Sequence, residues 1–546
     1  MSAIPFSRTI GTRSGVRLGY IKDASERFVG NDSGQVFAGV GRFTRGRIDR
    51  AFEVNRDQMV RLLGAPASTS LNPLNEALVQ IYDAFKQGAT RAVISRLAPA
   101  GALLKWMVAK PNEVAGAQPT DPPTPVWSVT GTAAEPEADF LLAIRHAECF
   151  NDGVRAEIHA LAAEDGDGVP VASQQVVLRV LSVDGALLFN FTGSLDPLAK
   201  NESGESSYLP DVVSAQTDNL EVIVAEGASV PVDSVYYGDN AAGKAKTAGA
   251  DLLYFVEGGT TYAPADIQRA VAALKNSMYP FRYICGLGTK STGIIGAIGE
   301  MGPEINKNVV LDVPGNLNRE AAIIFANQFN FDSHYVQWYW SPNRAVDPLN
   351  GGKAVIGVSG FQVGLRCRRN ANTDANGVPP MNYPIAGKAW PLVRTGIVQL
   401  VEVGEDDLEL LAKARINPVI YQTYNNGSAY VFYDSLTAAK TDADRKLIAV
   451  AEMSSQVDDW VTAGMKEYLQ LPMRETIKRG TSFLRILFDG IETAQWLVPS
   501  EELDQRSYVA SVNPNQQRPK DRVDVRYSLS YDGTTRVIDV EQTISK

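Results

Sequence analysis

The chain has 546 residues, 45% of them hydrophobic and 21% charged, which is an ordinary globular composition spread over about two to four domains rather than one core. A formal net charge of −10 argues against a nucleic-acid surface, which needs clustered excess Lys and Arg. Cys149, Cys285 and Cys367 are far apart and odd in number, so they offer neither a disulfide framework nor a zinc-type spacing. No apolar run approaches roughly 18 residues and the first residues lack an apolar segment, so neither a membrane span nor a signal peptide is expected.

In chain order, residues 1–34 read as an N-terminal arm rich in Gly, Ser, Arg and Asn, with Val16, Leu18 and Tyr20 alternating as a short strand would. Residues 35–97 read as the first part of an α/β core. Val36 to Gly41 is a buried strand, and Asn72-Pro73 opens a helix whose apolar face is Leu74, Leu78, Ile81 and Phe85, stopped by Gly88. Arg91 to Leu97 follows as a strand. Residues 98–250 change texture: Pro119, Pro122, Pro123 and Pro125 punctuate a loop, Gln175 to Leu181 is strand-like, and Asp184-Gly185 is a turn. This is expected to be a β-rich insertion that faces outward and is dispensable for the core.

Residues 251–394 are expected to resume the α/β core. They hold a strand at Leu252 to Phe255, a helix near 264–275, a strand at Val309 to Pro314, and a helix capped by Asn318 that runs to about Asn330. Residues 395–510 read as a C-terminal α/β domain with a strand at Arg445 to Val450. A helix follows with Val457, Trp460, Val461, Met465, Tyr468 and Leu469 on one face and Asp458, Asp459, Lys466 and Glu467 left polar.

Residues 511–546 read as a polar linker, 511–522, and a C-terminal β-arm. Val523, Val525, Tyr527, Leu529 and Tyr531 alternate with polar residues. Asp532-Gly533 is then the signal of a two-residue hairpin turn, and Ile538, Val540 and Ile544 mark the returning strand. A two-stranded ribbon is marginal alone, so such an arm is expected to complete a sheet of another copy.

The search for reactive chemistry gives weak matches. Gly238 to Ala245 follows the phosphate-loop spacing, but Ala245 stands where a hydroxyl would hold Mg²⁺, and a surface loop is the better reading. Gly286 to Gly293 is glycine-rich without the dinucleotide spacing. His146 and His159, with Glu148 and Glu157 between them, match no zinc-helix spacing, and His334 lies in the aromatic run His334 to Trp340, expected to be a packed strand. No catalytic, cofactor or metal residues are assigned.

Several of these segments, in this order, resemble contractile tail sheath proteins of bacteriophages and related injection machines. The resemblance is carried by Phe37 to Gly46, Leu62-Leu63-Gly64, and the helix that ends in Gly88 to Arg96. It continues through Gly204 to Pro210, Leu311-Asp312-Val313-Pro314, Arg415-Ile416-Asn417-Pro418-Val419, and the closing arm after a polar linker. Asn382 to Gly387 matches only approximately, and the family's frequent opening run is missing from the first 30 residues.

The resemblance implies an α/β (α+β) multi-domain sheath core with a β-rich inserted domain and terminal strand arms. It implies a structural subunit that stacks as hexameric rings, a helical polymer around a tail tube, and contracts to drive the tube through a target envelope without a cofactor. The implied partners are other copies of the chain, the tail tube protein, and baseplate and tail terminator proteins, with no nucleic acid and no membrane insertion. The implied location is the virion tail, assembled in the host bacterial cytoplasm. By the same resemblance the tube-facing surface falls within 395–510, which makes Asp458, Asp459, Lys466 and Glu467 candidate contacts. A sheath of a phage-like bacteriocin or secretion-type device shares this reading; an α/β enzyme of unknown chemistry is the alternative from another class.

Overall fold

The computed structural model describes residues 32–110, 126–129, 134–137, 140–161, 174–229, 235–237, 255–256 and 261–542. The expected strand at Val16, Leu18 and Tyr20, the prolines of 119–125, the loop Gly238 to Ala245 and Ile544 lie outside these residues. The first unit comprises β1 (Val36–Gly41), β2 (Phe52–Asn55), α1 (Met59–Leu63), α2 (Glu76–Gln87) and β3 (Arg91–Arg96). All six positions of β1 are buried, as a central parallel strand covered on both faces requires. Ahead of α2 the Asn72 side chain accepts from the Leu74 amide, and Gly88 ends the helix at φ +132°, where a Cβ would press on Arg368.

The insertion contains β4 (Leu103–Leu104), β5 (Met107–Lys110), β6 (Val126–Val129), β7 (Leu142–His146), β8 (Val154–Ala160), β9 (Gln175–Ser182), β10 (Leu187–Ser194), α3 (Leu209–Gln216), β11 (Leu220–Val224), β12 (Val235–Tyr237) and β13 (Phe255–Val256). Two four-stranded antiparallel sheets form, ordered β10-β9-β8-β12 and β11-β7-β5-β6. Along β9 the residues Val176, Leu178 and Val180 point inward, the period of two that the sequence shows, and Gly185 turns the chain into β10 at φ +83°. Ile144, Val154, Ile158, Leu178, Phe191 and Leu209 make a core of its own for this unit.

The chain then runs through α4 (Pro264–Lys275), β14 (Tyr283–Cys285), α5 (Thr292–Glu304), β15 (Asn308–Val313), α6 (Arg319–Asn327), β16 (Val336–Trp340), β17 (Asn343–Val346), β18 (Lys353–Ala354), α7 (Ser359–Asn370), β19 (Val398–Gln399), α8 (Glu405–Lys413), β20 (Ile416–Tyr424) and β21 (Gly427–Phe432). The central sheet has eight strands in the order β2-β3-β1-β14-β15-β16-β20-β21, with antiparallel strands at its two edges. Alternate residues feed two cores. Phe37, Tyr283 and Tyr339 meet α2 and α7 through Ile81, Phe85, Phe361 and Leu365. Ile284, Leu311 and Trp338 meet α4, α5 and α6 through Leu274, Ile295 and Ala322. Since β20 and β21 complete this sheet, the 395–510 segment is shared between the sheet and a helical layer.

That layer is α9 (Ile448–Lys466) and α10 (Met473–Thr493), followed by β22 (Tyr508–Pro514) and β23 (Val523–Leu529). Two expectations are corrected. The run Arg445 to Val450 is not a strand: it leads into α9, where Ile448, Ala449, Val450 and Ala451 are all buried. A short apolar run buried on every side has no period to separate strand from helix.

The C-terminal ribbon is also different. β23 pairs with β22 upstream, Tyr508 opposite Leu529 and Pro514 opposite Val523, so the expected linker 511–522 supplies a strand and a turn. The Asn515 side chain accepts from the amides of Gln517 and Arg518, and the Asn515 backbone N–H donates to the Arg522 carbonyl, which closes that turn. Asp532-Gly533 forms no hairpin, and the segment carrying Ile538 and Val540 pairs with no strand among the described residues. An alternating strand offers the same edge to either neighbour, so its pattern does not choose between them.

Candidate assembly surface

The helical layer is docked on the central sheet by buried ions. Glu452 of α9 is fully buried and pairs with Arg366 and Arg369 of α7 at 2.8 and 2.6 Å. Burial alone would raise its carboxyl, but the two guanidiniums hold it below the ordinary value. Arg282, also fully buried, donates to the Glu452 carbonyl at 2.8 Å and pairs with Asp459 at 2.9 Å. Arg366 also donates to the Tyr339 hydroxyl at 2.7 Å, tying the network to β16.

The polar residues assigned to the outer face of α9 divide into two pairs. Asp459 accepts from Arg282, Lys307 and Asn306. Asp458 accepts from the Tyr527 hydroxyl of β23. Both carboxylates are half-buried and committed within the chain, whereas Lys466 and Glu467 are exposed at the end of the helix. On the opposite face Val457, Trp460 and Val461 are buried, with the Trp460 ring stacked on Trp496 at 5.6 Å. Leu469 is exposed because α9 ends before it.

Sequence reasoning missed α10. Its buried face is Leu484, Leu487, Phe488 and Ile491. Arg474, Lys478, Arg479 and Arg485 are all exposed, a basic strip on an acidic chain, with Ile486 also exposed. The signal was present, because Arg474, Lys478 and Arg485 fall at i, i+4 and i+11.

The alternating residues of the arm, Val523, Val525, Tyr527, Leu529 and Tyr531, pack against the core under α9 and α10. Beyond them the chain is extended, and Arg536 anchors it to Asp434 through two bonds of 2.8 and 2.6 Å. Thr534 to Val537, with Glu405, Glu409 and Tyr433, line a cavity of about 620 Å³. Val537, Ile538 and Val540 are 74, 78 and 88% exposed, so this stretch leaves an apolar row uncovered. Extended backbone with free hydrogen-bonding groups and apolar side chains has the chemistry to add to a sheet edge.

The remaining polar clusters hold structure. His146 meets Glu148 at 3.1 Å and His159 meets Glu157 at 3.2 Å in separate strands. Among the described residues no group of three or more metal-ligating side chains converges. His334 precedes β16 rather than lying in it, half-buried beside Tyr335, and burial lowers it to about 4. Among the described residues no helix is long and apolar enough to cross a membrane.

No family model and no curated protein matches the sequence. Solved structures do match in shape. A sheath tail protein from Listeria innocua is 9% identical, with 93% of this chain and 97% of that chain covered at a TM-score of 0.53. A sheath tail protein from Desulfitobacterium hafniense is 12% identical over 95% of this chain and all of that one, at a TM-score of 0.46. The contracted PVC sheath complex of an extracellular contractile injection system is 13% identical over 50% of this chain and 74% of that one, at 0.41. This chain is therefore similar in fold, over nearly its whole length, to the Listeria innocua sheath tail protein.

Proposed function

We propose that the chain is a structural, non-enzymatic subunit of a contractile tail sheath, carried on the tail of a virion or a related injection device. The observation that carries this is the likeness to the Listeria innocua sheath tail protein across 93% of the chain. In this reading the subunits stack as hexameric rings around a tail tube, with baseplate and terminator proteins at the ends, and contraction drives the tube through an envelope. The uncovered extended segment from Thr534 onward is the link to the next copy, and the insertion is the outward-facing unit. Backbone hydrogen bonds in such a link contribute roughly 0.5–1.5 kcal/mol each and survive as the blocks re-dock. The tube contact falls on the exposed end of the helical layer, at Lys466, Glu467 and the basic strip of α10.

The test is negative-stain electron microscopy of the purified full chain, alone and with a tail tube. Tubes or stacked rings are the expected result; a uniform population of monomers under every assembly condition overturns the proposal.

A further inference from the structure

The joint between α2 and α7 holds two buried carboxyl groups that the assembly reading does not use. Gly360 and Gly364, four residues apart on α7, lie directly against the backbone of Gln80 and Ala84 on α2, where a Cβ at either would collide. At these two positions the helices therefore meet backbone to backbone. At the N-terminal end of this contact Glu76 accepts from the Gly357 amide at 2.6 Å and from the Gln80 side chain at 3.0 Å. Asp312, at the end of β15, accepts from the amides of Val358 and Ser359 at 2.6 and 2.9 Å and from the Ser359 hydroxyl. The Gln80 carbonyl oxygen of the side chain takes the Gly360 amide at 2.7 Å.

The glycine-rich turn at Gly286 to Lys290 seals this joint. Gly288 has φ +70°, and a Cβ there would strike the Glu76 carboxyl. The charged groups facing the pair are few. Lys290 on that turn is exposed, Arg394 reaches Asp312 but is paired to Asp83 at 2.6 Å, and the Cys285 thiol is pushed up to about 12 by burial and stays neutral. Glu76 is thus 2% exposed, beside a second carboxyl, and among the described residues no cation bonds to it. Burial first, and then Asp312, push it up to about 7.

We propose that the α2–α7 joint is proton-controlled: with Glu76 neutral the two helices are locked together, and ionisation of Glu76 beside Asp312 loosens α7 from α2. Glu76 and Asp312 accept from successive amides of the Gly357 to Ser359 stretch, so charges on both cannot be drawn apart without breaking those bonds, and burial raises the Asp312 carboxyl as well. The unfolded carboxyl ionises near 4.5, so the contribution of Glu76 is complete below that pH, declines up to about 7 and is flat above.

The test compares the melting temperature of the full chain with that of Glu76→Gln between about pH 4.5 and 8.5. The wild-type value relative to the variant should fall by roughly 5 °C or more between pH 4.5 and 7 and stay level above. Parallel profiles for the two proteins overturn the proposal. Should the variant fail to fold, infrared spectroscopy of the wild type decides. Loss of a protonated-carboxyl band with a midpoint near neutral pH supports the joint; no such band above about pH 5 overturns it. Neither measurement depends on assembly into tubes, so its outcome is separate from that of the sheath proposal.

Discussion

Tyr527, on β23, donates its hydroxyl to the Asp458 carboxylate on α9, which sews the C-terminal ribbon to the helical layer of its own chain. The phenol is raised above its ordinary value by burial first and then by Asp458. Tyr527→Phe should cost about 1–2 kcal/mol in chemical denaturation, because the half-buried carboxylate loses a charge-assisted bond. An unchanged denaturation midpoint would mean that water replaces the phenol without loss.

The same contact relocates the arm. Deleting residues 521–546 removes β23 and uncovers the apolar surface under α10, so that truncation should melt well below the full chain. Deleting 533–546 leaves β23, Tyr527 and Tyr531 in place and removes the uncovered segment with Arg536. That shorter truncation is expected to melt within a few degrees of the full chain and to form no tubes. Normal tubes from it would place the inter-subunit link elsewhere.

Charge reversal separates the two candidate tube surfaces. Asp459 holds Arg282 and Lys307, so its reversal should lower stability before it affects any partner. Arg474→Glu, Lys478→Glu and Arg485→Glu together alter only exposed positions and should leave the melting temperature within about 2 °C, since exposed charges contribute roughly 0–1 kcal/mol each. In co-sedimentation with tube the triple variant is expected to lose binding. Full retention would move the contact off α10.

Breaking the buried ion network should be severe. Glu452→Gln leaves Arg366 and Arg369 buried without a counter-charge, and a loss of about 3–5 kcal/mol is expected in urea unfolding. Replacing all three by methionine should cost less than the single change, because no uncompensated charge remains. A single variant as stable as wild type would show that water enters the site.

His334 gives a pH dependence opposite in sign to that of Glu76. Burial first, and then Arg445, lower it from 6.5 to about 4, so between those values the unfolded chain takes up a proton that the folded chain refuses. Its contribution is complete above pH 6.5 and is lost as the pH falls through 4. His334→Asn should flatten the acid limb of the stability profile, read as melting temperature against pH. An identical acid limb in the variant would assign it to other groups.

Local chemistry decided much of this chain. The continuous apolar run at Val36 to Gly41, the Asn72 and Asn318 caps, the Gly88 stop and the period of two at Val176 to Val180 each specify an element through its own few residues, and each element forms. The resemblance to tail sheath proteins was carried by short segments in order, among them Phe37 to Gly46, Gly204 to Pro210 and Leu311 to Pro314. What the sequence left open were choices among equivalent partners. The alternation of Val523 to Tyr531 is satisfied by a strand on either side, and only the polar turn at Asn515 together with packing on α9 and α10 selects β22. Ile448 to Ala451 carries no period because all four are buried. Asp458 and Asp459 look like solvated charges until the fold brings Tyr527, Arg282 and Lys307 to them from 69, 177 and 152 residues away. Spacing along the chain fixes which face of a helix a charge occupies, but only tertiary packing decides whether that face meets water, another part of the chain or a partner.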